Sequence, residues 1–197
     1  MSAREVGFCV AGAILLFWVV GAYNRLVMLR NGLSQAYAQI DLLIRQRLAS
    51  VPELVVQAGG YLEHERPVLE ALTAARHQAE VTADRARARL GRPGELASLA
   101  LAEQVFAGAL RKLVPLVENY PELQSEPRVR ALIDELVVAE GKLRFSAQIY
   151  NDAATTFNEA ARQFPTNIVA TLFGFSGAGL LALHPADADR PVNRPAP

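Results

Sequence analysis

Little in this sequence is equipped for covalent chemistry. One cysteine in 197 residues excludes an intramolecular disulfide, and three histidines leave few ligands for a metal site. An excess of either charge is missing too. The 20 Lys and Arg balance 20 Asp and Glu, which removes the bulk electrostatic case for nucleic acid. No run of alternating β-branched residues suggests a sheet. The length suits one domain with a substantial core and is short for two. What the chain does have is apolar residues, 51% of the total, gathered mostly towards its two ends.

From Val6 to Asn24 there are 19 residues without a charge, bounded by Arg4-Glu5 and Arg25. As a helix that run is roughly 28 Å long, enough to cross a hydrocarbon core of about 30 Å. Trp18 and Tyr23 sit towards one end, where amphipathic rings favour the interface. A cleaved signal peptide ending near Val20-Gly21-Ala22 is the alternative. Against it stand a weak basic flank, a long apolar run and a helical pattern that continues without a break. Residues 1–24 are therefore read as a signal-anchor. Arg25 and Arg30, then Arg45 and Arg47, outnumber Arg4 and favour a cytoplasmic carboxyl domain.

Residues 25–165 read as four amphipathic helices. Leu26, Leu33, Tyr37, Ile40, Ile44 and Leu48 continue the membrane helix outward, and Val51-Pro52 is expected to interrupt it. Val55, Ala58, Leu62, Leu69, Leu72, Ala79, Ala83, Ala86 and Leu90 mark a second helix, closed by the turn Gly91-Arg92-Pro93-Gly94. A third carries Leu96, Leu99, Phe106, Leu110, Leu113 and Val117, with Pro115 expected to kink or shorten its end. Tyr120 to Pro127 reads as a loop. In the fourth helix Val129, Leu136, Leu143, Tyr150, Phe157 and Phe164 fall seven apart, with Ile133, Ala147, Ala154 and Ala161 at the companion position. The expected fold is all-α: a transmembrane helix continuing into an antiparallel up-and-down four-helix bundle.

In that topology the fourth helix returns to the bilayer, where Thr166 to Leu183 supply 18 uncharged residues. Residues 166–183 read as an apolar membrane-proximal segment, interfacial or re-entrant. A second full span and packing on the bundle base are the rivals. The Pro- and Ala-rich tail, 184–197, reads as disordered.

A set of motifs runs through nearly the whole chain in order. It begins with Tyr23-Asn24-x-Leu26-x-x-Leu29-Arg30-Asn31, Ile40-Asp41, Pro52-x-Leu54-Val55, Gly60-Tyr61-x-x-His64-Glu65 and Ala75-Arg76. It continues with Glu118-x-Tyr120-Pro121, Tyr150-Asn151, Phe157-Asn158, Phe164-Pro165-x-Asn167 and Gly174-Phe175. These resemble the LemA family of bacterial envelope proteins. The resemblance implies an amino-terminal membrane segment, an antiparallel four-helix bundle and a place in the bacterial inner membrane as a single-pass protein; it implies no activity. Some members are lipoproteins with a cysteine just before the Tyr-Asn pair. Here that residue is Ala22, so lipid anchoring is not supported. Ala147 stands where relatives often carry an arginine.

Polar groups on the apolar faces are the informative anomaly. Arg30 and Arg47 fall on or beside the first helix's stripe, Glu65 and Arg76 on the second's, Glu103 on the third's and Glu140 on the fourth's. With both membrane ends level, Arg47 stands near the height of Glu140. Such a network ordinarily fixes helix register at little net stability. The alternative is a polar pocket between helices that binds a small molecule or ion. A membrane-proximal polar seam is expected where Tyr23-Asn24 with Asn31, and Tyr150-Asn151 with Asn158, repeat one spacing on facing helices.

Catalytic and metal signatures are missing. His64-Glu65 lacks the second histidine of a zinc-protease helix, no Glu-x-x-His pair exists, and Glu63, Glu65 and Glu70 read as a solvated face plus one buried acid. Gly59-Gly60 and Gly91–Gly94 lack a phosphate loop's lysine, and Ser34, Ser50 and Ser98 lack a nucleophile elbow. Arg85, Arg87, Arg89 and Arg92 form a basic cluster at the end of the second helix. No enzyme, metal or cofactor is expected. The leading expectation is a membrane-anchored interaction or scaffold protein with lipid and protein partners, self-association through the alanine-lined face of the fourth helix included. A ligand-sensing module built on the interhelical polar network is the second.

Overall fold

The computed structural model describes residues 3–183, among which there are helices and connecting segments and no strand. α1 runs from Ala3 to Gly59, 57 residues without interruption, about 86 Å of helix at 1.5 Å per residue. A 3-10 turn, Glu63–Glu65, leads into α2 (Arg66–Ala88). Then follow α3 (Pro93–Asn119), the short α4 (Pro121–Ser125), α5 (Pro127–Arg162) and α6 (Thr166–Leu172). Pro67, Pro93, Pro121 and Pro127 occupy the first or second positions of α2 to α5, where a missing N–H forfeits no helical bond. The expected fold class holds: an apolar helix at the amino end continues into an all-α bundle.

Two helix boundaries differ from expectation. Pro52 lies inside α1, so Val55 and Ala58 belong to the first helix and not the second. Proline in a helix strands the carbonyl four residues back, here that of Leu48. The Arg76 guanidinium on α2 takes it up, donating from Nε to the Leu48 oxygen at 2.8 Å. The break falls instead at Gly59-Gly60, where two successive residues without side chains end the helix. Pro115 likewise sits within α3, which continues to Asn119. The loop expected from Tyr120 to Pro127 holds α4, anchored by the fully buried Leu123.

Two helix pairs, α1 with α5 and the α2–α3 hairpin, pack together through α1 and α2. Ion pairs set the register of the second against the first: Arg45 reaches Asp84 at 2.7 Å, and Arg87 reaches Asp41 at 3.5 Å. Four residues on from Arg87 and four back from Asp41, Gly91 of the α2–α3 turn therefore stands level with Tyr37. Tyr37 in turn faces Tyr150 of α5, ring centroids 6.0 Å apart. Below Tyr37, α1 and α5 run on for about 20 Å towards Asn24 with no hairpin beside them.

That notch is filled by the end of the chain. After a cis Phe164–Pro165 peptide, α6 packs at the base, where Phe173 and Phe175 contact the Tyr23 ring at 4.9 and 5.7 Å. Residues 176–183 then climb back as an extended strap along α5, with Ala178 and Leu181 buried. One face of residues 166–183 thus packs on the bundle base, through Thr166, Val169, Ala170, Ala178 and Leu181. The expected disordered tail, 184–197, lies outside the described residues.

Candidate functional site

Of the six charged residues expected to form a network, three meet. Arg47, 2% exposed, donates from Nη2 to Glu103 of α3 and from Nη1 to Glu140 of α5, joining three helices through one guanidinium. Its planar face lies 4.7 Å from the centre of the Phe106 ring, a cation–π contact inside the core. Burial pushes the Arg47 pKa down from its ordinary value, and the charge and hydrogen bond of Glu140 oppose that shift. Arg47 Nε and Glu103 Oε1 are buried without a protein hydrogen-bond partner. Glu140 also pairs with Arg144 one turn on, at 3.4 Å.

The other three stand apart, which corrects the expectation of a single network. Arg76 serves the Leu48 carbonyl and pairs with Glu80 at 3.7 Å. Glu65 sits half-buried in the 3-10 turn at the far end of the bundle. Arg30 is exposed near the base, its guanidinium 5.9 Å from the Phe175 ring. Heptad position alone put these residues near the stripe. It could not show that Gly59-Gly60 ends α1, which places Glu65 beyond the packed helices.

The polar seam also takes another form. Asn24 and Asn31 are exposed on α1 and do not face the asparagines of α5. Those clamp the strap instead. Asn158 donates from Nδ2 to the Ala178 carbonyl at 2.8 Å, and its Oδ1 accepts the Ala178 N–H at 2.7 Å. Asn151 repeats this two-point pairing with Leu181, at 3.0 and 2.8 Å. The spacing fits: seven residues of helix rise about 10 Å, as do three residues of extended chain. The buried Tyr150 hydroxyl donates to the Gly179 carbonyl at 3.1 Å, and Gln104 of α3 donates to Ala182 at the same distance. Burial raises the Tyr150 pKa, and Tyr37 is raised by burial and then by Asp41.

Gly179 is where the strap meets the α2–α3 turn. Its N–H donates to the Gly91 carbonyl at 2.9 Å. A Cβ there would stand 2.6 Å from the Pro93 Cα, so only glycine fits. Residue order alone left Gly179 and Gln104 unremarked; the one available signal was Gly177-x-Gly179 inside an otherwise apolar run.

The alanine edge of α5 is occupied as well. Ala147 and Ala154 are buried in the chain's own core. Part of the basic cluster is engaged too: Arg87 pairs with Asp41 and Asp84, and Arg89 with Glu95 at 2.9 Å. At the far end, a groove of about 950 Å³ opens between α1 and α2, lined by Val55, Gly59, Leu62, Arg66, Leu69 and His77. Beside the ionic cluster, open depressions of about 280 and 260 Å³ touch Arg47 and Glu140 respectively. Among the described residues no group of three or more His, Cys, Asp or Glu could hold a metal ion.

In sequence the chain is similar to magnetosome proteins. It is 33% identical over 106 residues to magnetosome proteins MamQ 1 and MamQ 2 of Paramagnetospirillum magneticum. To magnetosome protein MamQ of Magnetospirillum gryphiswaldense it is 30% identical over the same length. The matched region is 54% of this chain and 39% of each relative. The LemA family pattern matches residues 36–193, which include the ionic cluster, both asparagine clamps and the strap. On that match, the chain belongs to the LemA family.

Proposed function

We propose that this protein is a membrane-anchored scaffold: a stiff helical post that holds a protein-contact surface at a fixed height above the bilayer. The observation that carries this reading is the continuity of α1. One unbroken helix supplies an apolar segment with a mean hydropathy of 2.2 and then the bundle's longest wall. In residues 6–8 and 10–24 all side chains but those of Val19 and Ala22 are exposed, as a lipid-facing surface would be. From Arg25 to Gly59 the same helix rises roughly 50 Å, and it ends at the distal groove beside the exposed Val56 and Tyr61. The membrane is the inner membrane of a bacterium, crossed once. Arg25 and Arg30 at the exit of the span favour the cytoplasmic side for the bundle.

Two measurements test this. The full-length chain should remain with membranes through an alkaline carbonate wash; uncleaved chain in the supernatant would overturn the reading. Energy transfer from a label at Val56 to acceptors on the lipid surface should report a height of roughly 50 Å. A tip lying close to the bilayer would remove the post.

A second reading, a ligand sensor, draws support from Arg47 Nε and Glu103 Oε1, two adjoining groups whose buried atoms lack a protein partner. It requires a polar molecule small enough to reach a core in which Arg47 already holds two carboxylates. Retention of a partner by Glu103→Gln and Glu140→Gln variants would count for the scaffold and against the sensor.

A further inference from the structure

The base of the bundle carries an apolar surface that the chain itself leaves uncovered. α6 buries Thr166, Val169 and Ala170 against the bundle. Its other side presents Ile168 and Leu172, and Phe164 and Phe173 flank it. These four side chains are 58, 74, 76 and 50% exposed. Four large apolar groups on seven residues of helix and its two flanks, in a stretch free of charge from Gln163 to Leu183, form a patch that water disfavours.

Position identifies what covers it. The Phe173 and Phe175 rings lie on Tyr23, the residue next to the last uncharged position before Arg25. A bilayer crossed by residues 6–24 therefore has its surface at α6. The charge around the patch agrees: α1 carries no acid between Glu5 and Asp41, only Arg25 and Arg30, and Arg30 sits over the Phe175 ring. On α5, Glu159 and Arg162 precede the turn and offset one another. Arginines without acids, on the helix that flanks exposed apolar groups, suit a surface that lies in lipid headgroups.

We propose that α6 is a second membrane contact, with Phe164, Ile168, Leu172 and Phe173 inserted into the interface of the bilayer that α1 crosses. This rests on the reading of residues 6–24 as a span. The two contacts have different consequences. A single helix leaves the bundle free to tilt about its exit point. A second contact beside it, tied to α5 and held by the strap, sets the tilt and keeps the distal groove at its height.

The test uses the full chain in phosphatidylcholine–phosphatidylglycerol vesicles whose acyl chains carry bromine. In the native chain Trp18 reports the span, because bromine quenches an indole that lies in lipid. In a Trp18→Phe background, Leu172→Trp and Ile168→Trp each place a sole indole on the outer face of α6. Both should lose most of their emission in brominated vesicles and resist acrylamide, while Val56→Trp at the distal end should do the reverse. An α6 indole quenched by acrylamide and not by bromine would mean that this face meets water, and the proposal would fail. Protection from both quenchers would place it against a second copy of the chain, which overturns the proposal equally. Quenching of Trp18 without quenching at α6 would remove the second contact and spare the span. No quenching of Trp18 would remove both.

Discussion

Above and below Tyr37, the same two helices are covered in opposite ways. Above it, α1 and α5 lie against the α2–α3 hairpin; below it, against α6 and an extended strap. A covering helix brings its backbone already satisfied, so the surface beneath can be apolar, or can hold charges that pair with one another. The ionic cluster of Arg47, Glu103 and Glu140 lies there. An extended strap brings unpaired N–H and C=O groups with every residue. The surface beneath must supply partners, and here Asn151, Asn158 and Tyr150 of α5 do so. Polar residues at core positions thus have two separate meanings. Charges in the upper region pair side chain with side chain, whereas amides in the lower region pair side chain with backbone.

The harshest way to break the upper half is to remove one member of the buried cluster. Glu103→Leu leaves Arg47, 2% exposed, with Glu140 alone. Arg47 keeps one carboxylate, so the loss is that of a buried charge-assisted hydrogen bond, about 1.5–3 kcal/mol. Thermal unfolding of the full chain in detergent, followed by circular dichroism, should show that loss. Adding Arg47→Met should recover most of it, because an apolar pair of similar volume is often as stable as the buried ion pair it replaces. No recovery in the double variant would mean that the cluster is essential to the packing itself, and its role as a register device would fall.

Most of the upper half was legible in the sequence. Seven-residue spacing in α5 and the shorter repeats elsewhere gave the buried stripes, because period and burial are linked in a helix by geometry alone. Equal heights on antiparallel helices place Arg47 near Glu140, and the two are hydrogen-bonded. The lower half was less legible. Asn151 and Asn158 stood out by their spacing, but their partners are backbone groups, and every residue type has those. Thr166 to Leu183 is apolar enough for lipid or for a core, and composition does not separate the two. The difference lies in a notch, whose depth depends on where the α2–α3 hairpin turns relative to α1. That in turn depends on whether α1 stops at Pro52 or at Gly59.

The strap can be detached without touching the cluster, which sharpens the contrast. Gly179→Ala sets a methyl group 2.6 Å from the Pro93 Cα, and neither backbone can yield cheaply. Overpacking of this kind costs about 1–3 kcal/mol. Hydrogen exchange at the Leu181 amide should accelerate while the amides around Arg47 keep their protection. Asn158→Ala should act the same way and more gently, since it removes two hydrogen bonds worth about 1 kcal/mol each. Equal acceleration in both halves would show one cooperative unit, and the division drawn at Tyr37 would not describe the molecule's energetics.

Arg76 crosses that division and gives the finest test. It belongs to the upper region and carries a charge, yet it serves a backbone carbonyl, that of Leu48, as the asparagines below serve the strap. The reason is Pro52, which lacks the N–H that would bond this carbonyl in an unbroken helix. Arg76→Met should therefore cost about 1 kcal/mol in the native chain. In a Pro52→Ala background the helix regains its own donor, and the same substitution should cost only what the exposed pair with Glu80 contributes, a few tenths of a kcal/mol. The difference between the two backgrounds is a coupling of about 0.5–1 kcal/mol, measurable by a double-mutant cycle on the unfolding midpoint. If Arg76→Met costs the same with and without the proline, the Leu48 carbonyl does not depend on Arg76. The continuity of α1 through Pro52, on which the height of the distal groove rests, would then need another source.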